Sequence, residues 1–487
     1  MPPCKPVDRI RQTYSDMRLE LSQTLRQQML YALGIVIMKG VSLFMLPFIA
    51  HQLSPAEFGT LEVLNSLNAL GSVLVGLGLL NTMFRFVGFA RSQAERKELV
   101  AEIFGLNLLV AGLLFVVGFP LAGWLSGLLP GQTDQYMVQL AIAMIALEGC
   151  IGIPLGWLRH AERVGLFFVL NTGKALLQAA LVLLFLVQGR GIAGVLEAGL
   201  IAALALAVLL VIIQYRDSGI RLNPASYRKV LLYSIPLVGS GLLGFVLTGL
   251  DRWIIASEVG TAQMAQYALA AKFALLAAIM LQPFLMWWSP RRFSVLNEPD
   301  GARKVARLAA MGSAISLLIV VGVGLLSPLL IGLLFPADYA EAARFLPWLV
   351  LTVAIKDSAE LLNLGCYTGD RTHTQFLINL AGGVAGLLAM LLLVPLWAAW
   401  GATWALLIAQ TLRLLLYFVL SQRVLPLDYP LRALVGLAVL AIGLLWLGDS
   451  MAGWLSQALF ALCAMLAMTG VAMRLRLIPS LPGQSLA

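Results

Sequence analysis

The chain has 487 residues, 60% hydrophobic and 12% charged, with 33 Lys and Arg against 24 Asp and Glu and a formal net charge of +9. Soluble globular chains carry about 25% charged residues, so this composition does not provide a water-facing surface. The apolar residues come in runs of about 20, long enough to cross a ~30 Å hydrocarbon core at ~1.5 Å per residue, and their continuity selects helices over alternating barrel strands.

In chain order, the first 27 residues, "MPPCKPVDRIRQTYSDMRLELSQTLRQ", are polar and basic. The apolar run behind them is a full span without a small-residue cleavage site, so the segment reads as a retained cytoplasmic tail rather than a signal peptide. Fourteen spans are predicted, near 28–51, 60–88, 99–126, 137–158, 166–188, 192–215, 233–257, 265–288, 308–334, 345–366, 375–396, 400–422, 430–447 and 453–473. The expected fold is all-α integral membrane. Its domains are the tail (1–27), an N-terminal six-helix lobe (28–215), a cytoplasmic inter-lobe linker (216–232), a C-terminal six-helix lobe (233–422) and two further helices with a short tail (423–487).

On this topology 24 of the 33 Lys and Arg fall on one side, two (Arg190 and Arg344) on the other, and seven within spans. The positive-inside rule then places both termini in the cytoplasm. The same distribution removes nucleic acid as the explanation of the net charge. Four cysteines, Cys4, Cys150, Cys366 and Cys463, are too dispersed for a disulfide framework or a zinc motif, and no metal or cofactor is expected.

The loops exclude other chemistries. "LSPAEFG", "GLLPGQTDQY", "QGRG" and "FPADYAEAARF" are too short to fold into an outer domain. The longer inner connections, "YRDSGIRLNPASYRKV" and "SPRRFSVLNEPDGARKVAR", hold neither a phosphate-binding loop nor a metal-ligand cluster. A membrane glycan polymerase or ligase is the rival enzyme class, and such enzymes usually display catalytic residues on a large outer loop, which this chain lacks. His51, His160 and His373 sit at predicted membrane edges, as do the pairs Trp287–Trp288 and Trp397–Trp400 of an interfacial aromatic belt.

The informative residues are the intramembrane cations Lys39, Arg85, Lys174, Arg252, Lys272, Lys356 and Arg413. A charge near the bilayer centre costs ~2.5–3.5 kcal/mol on insertion scales, so such residues face a bundle interior or a wet cavity. Arg85 is close enough to a span end to snorkel, whereas Lys174 and Arg413 admit either snorkelling or local pairing. Lys39, midway along span 1, has no acidic residue within a turn. Lys356, Glu360 and Asn363 share one face of span 10 and admit an internal ion pair. In span 7 Ser240, Gly244, Thr248 and Asp251 lie within about 80° of one another, beside Arg252, and span 2 carries Glu62, Asn65, Ser72 and Gly76 on one face. Such stripes either pack against a neighbour or line an aqueous cleft. The cationic excess points to an anionic cargo such as phosphate or pyrophosphate. Pro47, Pro236 and Pro283 admit roles as hinges or as packing kinks. "LSPAEFGTL" (53–61) and "VGTAQMAQY" (259–267), 206 residues apart, form a weak repeat expected of a two-lobed transporter.

The segments "KGVSLFMLPFIAHQLSPAEFGTLEVLNSL" (39–67) and "LDRWIIASEVGTAQMAQYALAAKFALL…QPFLMWWSP" (250–290) resemble the polysaccharide transporter branch of the multidrug/oligosaccharidyl-lipid/polysaccharide (MOP) flippase superfamily, over roughly spans 1 to 12. The resemblance implies a V-shaped pair of six-helix lobes with two appended helices. It implies a flippase moving lipid-linked oligosaccharide from the cytoplasmic to the outer leaflet of a bacterial inner membrane by alternating access, for O-antigen, exopolysaccharide or capsule synthesis. Carried over by position, Lys39 and Arg252 are the first expected cargo contacts and Lys272 and Lys356 the next; Arg85 and Arg413 are further candidates among the intramembrane cations. Asp251, Glu360 and Glu62 are expected to orient those cations or couple an ion. Expected partners are the anionic lipid-linked oligosaccharide, membrane lipids, a polysaccharide polymerase and a chain-length regulator, with the chain acting as a monomer. Span 1 lacks the arginine-rich character expected of a lipid II flippase, and the basic intramembrane set departs from the acidic one of the drug exporters (MATE transporters), so those two readings stand as alternatives.

Overall fold

The computed structural model describes residues 40–76, 78–289, 291–367, 373–449, 451 and 453–478, without the side chains of residues 373 and 449. The tail 1–27, most of the first predicted span with Lys39, and the last residues lie outside the described residues. Among the described residues the chain is helical and has no strand. The helices are α1 (Gly40–Gln52), α2 (Pro55–Gly76), α3 (Leu79–Phe89), α4 (Gln93–Gly118), α5 (Ala122–Leu128), α6 (Gln135–His160), α7 (Val164–Val187), α8 (Gly191–Asp217), α9 (Pro224–Thr248), α10 (Leu250–Glu258), α11 (Thr261–Trp288), α12 (Arg292–Leu296), α13 (Gly301–Leu334), α14 (Ala342–Leu361), α15 (His373–Val424), α16 (Leu431–Asp449) and α17 (Trp454–Arg474).

Among the described residues eleven helices are long and apolar enough to cross a membrane. One of them, α15, contains two predicted spans joined across a kink at Trp397 and Ala398, where Ala398 takes φ 53°. Its halves run antiparallel: a Cβ on Gly386 would meet Ala409, and one on Gly382 would meet the side chain of Arg413. The remaining two predicted spans correspond to α1, which is short within the described residues, and α14, which carries Arg344, Lys356, Asp357 and Glu360. Exposed side chains such as Leu113 (66%), Leu333 (79%) and Leu392 (67%) form a surface that only lipid solvates favourably.

The chain divides into two compact units. Of the described residues, the first comprises those of 40–49, 71–122 and 136–237. Its core joins Leu79, Met83 and Val87 of α3, Val100, Ile103 and Phe104 of α4, Ile153 and Trp157 of α6, and Val230 of α9. Inside it Thr82 and Ser234 share a buried hydrogen bond of 2.7 Å, and Asn107 donates to the carbonyl of Gly149 at 2.9 Å. Within the segment read as a linker, α9 already begins at Pro224. The residues before it are tied to α4: Arg221 N–H donates to the Ala101 carbonyl at 3.1 Å, Arg221 pairs with Glu98, and Asn223 donates to Glu102 at 2.7 Å. Asp217, at the end of α8, accepts from Trp157 at 2.5 Å and lies 3.2 Å from Arg163 and 3.5 Å from Lys97.

The second unit comprises, of the described residues, those of 50–70, 123–135 and 238–478. Here α13 packs on α14, α16 and α17, and α14 packs also on α11 and α15. α2 starts in a reciprocal cap: Glu57 N–H donates to Ser54 Oγ at 3.3 Å, while Ser54 N–H donates to the Glu57 carboxylate at 2.8 Å. The two halves of the weak repeat meet, because a Cβ on Gly59 would collide with the backbone carbonyl of Thr261 at the start of α11. Beside them Gln266 donates to the Asp338 carbonyl and accepts from Ala342 N–H at 3.1 Å, and Tyr339 donates to the Leu53 carbonyl at 3.4 Å and packs edge-on against Phe58. Burial and the carboxylates of Asp338 and Glu57 raise the Tyr339 phenol above its ordinary range, which keeps that hydroxyl a donor.

The close backbone approach at Gly59 yields a prediction. Gly59→Ala must push α2 off α11 at a cost of about 1–3 kcal/mol, so thermal unfolding in detergent is expected several degrees below wild type. Gly173→Ala, where a Cβ meets nothing within 4 Å, is expected to unfold at the wild-type temperature or slightly above.

Candidate functional site

Four of the expected residues meet within the second unit. They come from α2, α10 and α11, and the local sequence of each helix explains how. Pro236 and Pro283 lie inside α9 and α11 without ending either helix; the chain breaks instead at Gly249 (φ −148°, ψ −34°), between α9 and α10. A Cβ at this position would meet the Phe245 ring. This break corrects the predicted span 7 stripe, since Ser240, Gly244 and Thr248 belong to one helix and Asp251 to the next. Asp251 thereby falls in the first turn of α10, where a carboxylate is favoured by the exposed N–H groups and dipole. Arg252 turns back and donates to the Thr248 carbonyl at 2.6 Å, satisfying an acceptor in the last turn of α9.

Glu62 is the centre of the group. Its Oε1 accepts from Lys272 Nζ at 2.7 Å and from Asn65 Nδ2 at 2.9 Å, while its Oε2 lies 3.8 Å from Arg252 Nε. Asp251 Oδ2 accepts from the fully buried Tyr267 hydroxyl at 2.7 Å, and its Oδ1 lies 3.8 Å from Arg252 NH1. Trp253 donates to the Val63 carbonyl at 3.3 Å, and Lys272 Nζ stands 5.8 Å from the centre of the Phe58 ring. Two carboxylates and two cations make the group formally neutral.

Exposure separates the two signs. The carboxylate side chains of Glu62 and Asp251 are 3% and 5% exposed, whereas those of Arg252 and Lys272 are 18% and 31% exposed. The acids are held inside by Asn65 and Tyr267 while the cations occupy the accessible side. An anion approaching the group therefore meets positive charge first, and neither cation is held by more than loose or single ion-pair contacts. Arg252 Nε has no hydrogen bond, and Asp251 Oδ1 likewise has none.

The other expected residues stand elsewhere. Lys39 lies outside the described residues. Arg85 is exposed in the first unit, its guanidinium 4.5 Å from the Tyr233 ring centre. Lys356 and Glu360 are exposed on α14 and form no ion pair with each other. The helix ends before Asn363, which accepts from Arg292 at 3.2 Å instead of sharing their face. The buried carboxylate of α14 is Asp357, 3% exposed and accepting from Ser316 Oγ at 2.8 Å. Its signal was the buried stripe of Leu346, Val350, Ala354 and Leu361 at helical spacing, into which Asp357 falls. Arg413 is paired locally, with Gln410 and Asn379. Tyr267, 16 residues from Asp251 across a helical turn, had no spacing rule to announce it.

The sequence profile of the polysaccharide biosynthesis protein family matches residues 24–294, more than half of the chain. No curated protein matches in sequence. Solved structures do match in fold. A lipid II flippase, MurJ, in an inward closed conformation superposes with a TM-score of 0.70 at 14% identity, covering 92% of this chain and 99% of that one. An inward-facing multidrug resistance MATE transporter of the MOP superfamily gives 0.57 at 12% identity, over 80% and 94%. A Vibrio cholerae MATE transporter gives 0.53 at 17% identity, over 82% and 96%. At these identities the likeness is one of fold. The chain is a multi-pass membrane protein that belongs to the polysaccharide biosynthesis protein family, on the fold that MurJ and the MATE transporters of the MOP superfamily share.

Proposed function

We propose that this protein is a flippase that carries a polyprenyl-pyrophosphate-linked oligosaccharide from the cytoplasmic to the outer leaflet of a bacterial inner membrane by alternating access, without making or breaking a covalent bond. The observation that carries the reading is the sorting of charge at Glu62, Asp251, Arg252 and Lys272, with acids buried and cations accessible. An anionic headgroup competes with Glu62 for Lys272 and Arg252, and the carboxylates take the cations back when it leaves. The empty site thus never carries an uncompensated charge, whose cost in hydrocarbon is ~2.5–3.5 kcal/mol. The sugar crosses along a polar path, because burying hydroxyls without partners costs several kcal/mol. Family membership supports polysaccharide synthesis as the context, with both termini cytoplasmic, two six-helix lobes with two added helices, and a glycan polymerase and chain-length regulator downstream. The fold's match to MurJ favours a second cargo, lipid II, within the same class of lipid-linked glycan.

In inverted membrane vesicles, a radiolabelled polyprenyl-pyrophosphoryl oligosaccharide is expected to cross with its glycan mass unchanged. Transport of lipid II alone would move the protein to the second cargo, and a change in glycan length would make it an enzyme. Arg252→Ala and Lys39→Ala are each expected to cut transport about tenfold or more while inserting normally, the loss of one charge-assisted hydrogen bond being worth about 1.5–3 kcal/mol. Undiminished transport by the double variant removes these two residues from the site.

The Glu62–Lys272 pair gives a separate expectation. Glu62→Gln strands the ammonium of Lys272, so the folded yield measured by size exclusion should fall. Adding Lys272→Gln should restore the yield and leave transport lost. A double variant that transports like wild type would make the pair a packing device.

A further inference from the structure

A second cation in the same unit is seated differently. Arg413 lies on the second half of α15, 11 residues before Val424, and faces Asn379 of the first half. Gly382 on the antiparallel first half opens the space for its stem, since a Cβ there would meet Arg413 Cγ and Cδ. Its NH1 donates to Gln410 Oε1 at 2.8 Å and its NH2 to Asn379 Oδ1 at 2.9 Å. Tyr417 donates to the same Asn379 oxygen at 3.2 Å, which fixes that amide with its oxygen toward the guanidinium. Gln410 and Tyr417 are buried, Arg413 is half-buried, and its Nε is buried with no hydrogen bond.

Every partner here is neutral. Among the described residues no carboxylate is paired with Arg413, whereas Arg252 and Lys272 share Glu62 and Asp251, Arg190 has Glu197, and Lys97 and Arg163 have Asp217. Amide oxygens solvate a guanidinium and leave its charge intact. A preorganised cation built with oriented amides and no counter-charge is stabilised further by any anion that reaches it, and the planar guanidinium fork matches phosphate oxygens.

We infer that Arg413, held by Asn379 and Gln410, is a phosphate-binding site within the membrane, taking the phosphate or diphosphate group of a lipid-linked molecule. This rests on the flippase reading, which it deepens by distinguishing a standing anion site at Arg413 from the exchanging group around Glu62.

The test uses the full chain in phosphatidylcholine nanodiscs, titrated with farnesyl diphosphate, inorganic pyrophosphate and farnesol and followed by tryptophan fluorescence. Farnesyl diphosphate is expected to bind and farnesol not to. Arg413→Gln should weaken that binding about tenfold or more, and Arg413→Lys, which keeps the charge, should fall between the two. Asn379→Asp leaves the guanidinium in place and neutralises it, so it should lose binding equally while unfolding no earlier than wild type. Wild-type affinity in either Arg413→Gln or Asn379→Asp overturns the assignment and leaves Arg413 a hydrogen-bonding staple between the two halves of α15. Competition by pyrophosphate assigns the site to the diphosphate itself, and competition by phosphatidylglycerol nanodiscs assigns it to a bilayer headgroup; both support a phosphate site. Vesicles that fail to translocate while Arg413-dependent binding persists would refute the flippase reading alone. Translocation with binding indifferent to Arg413 would refute only this inference.

Discussion

An ionised side chain in hydrocarbon has to be compensated where it stands, and the structure is organised around that requirement. Near the ends of spans the solution is ordinary. Asp217 gathers Lys97, Arg163 and the Trp157 indole at the end of α8, and Glu197 holds Arg190 at 2.7 Å near the start of the same helix. These pairs are reached by solvent, contribute at most about 1 kcal/mol each, and fix helix ends. In the second unit the same requirement produces the group around Glu62, which is assembled from three helices, α2, α10 and α11.

That assembly depends on two backbone features. Gly59 lets α2 touch the start of α11, bringing Glu62 within reach of Lys272. The break at Gly249 places Asp251 at the start of α10, where it meets Tyr267, and points Arg252 back toward Thr248 and Glu62. Each carboxylate is anchored by a neutral donor, Asn65 or Tyr267, in addition to its cation. The acids therefore keep a hydrogen bond if a cation changes partner, and this makes exchange with an incoming anion less costly than breaking a fully buried pair.

The spans were legible in the sequence because hydropathy and length are local properties. Even the two halves of α15, joined as one helical run, separate by apolar length before the kink at Trp397 and Ala398 appears. The faces were less legible. Helical spacing put Glu62 beside Asn65, as the structure does, but the distance from Glu62 to Lys272 is 210 positions and no period reports it. Spacing also favoured Lys356 with Glu360, whereas the carboxylate between them that is buried is Asp357, rotated by about 100° per position onto the apolar stripe. The break at Gly249 was invisible because one glycine in an apolar run is common in membrane helices, and only the position of Phe245 makes it decisive here.

Position along a span also failed to rank the cations. Arg252 and Arg413 both read as intramembrane arginines, yet one is balanced by Glu62 and Asp251 and the other is solvated by Asn379 and Gln410. The difference is one of electrostatic reach. A carboxylate cancels the field of its partner within a few ångströms, so an anion approaching Arg252 has to displace something. The amide oxygens around Arg413 hold the guanidinium and leave its charge uncancelled. A chain that moves an anion has use for both arrangements: the first lets charge be released without leaving a bare cation behind, and the second attracts it from a distance without prior rearrangement.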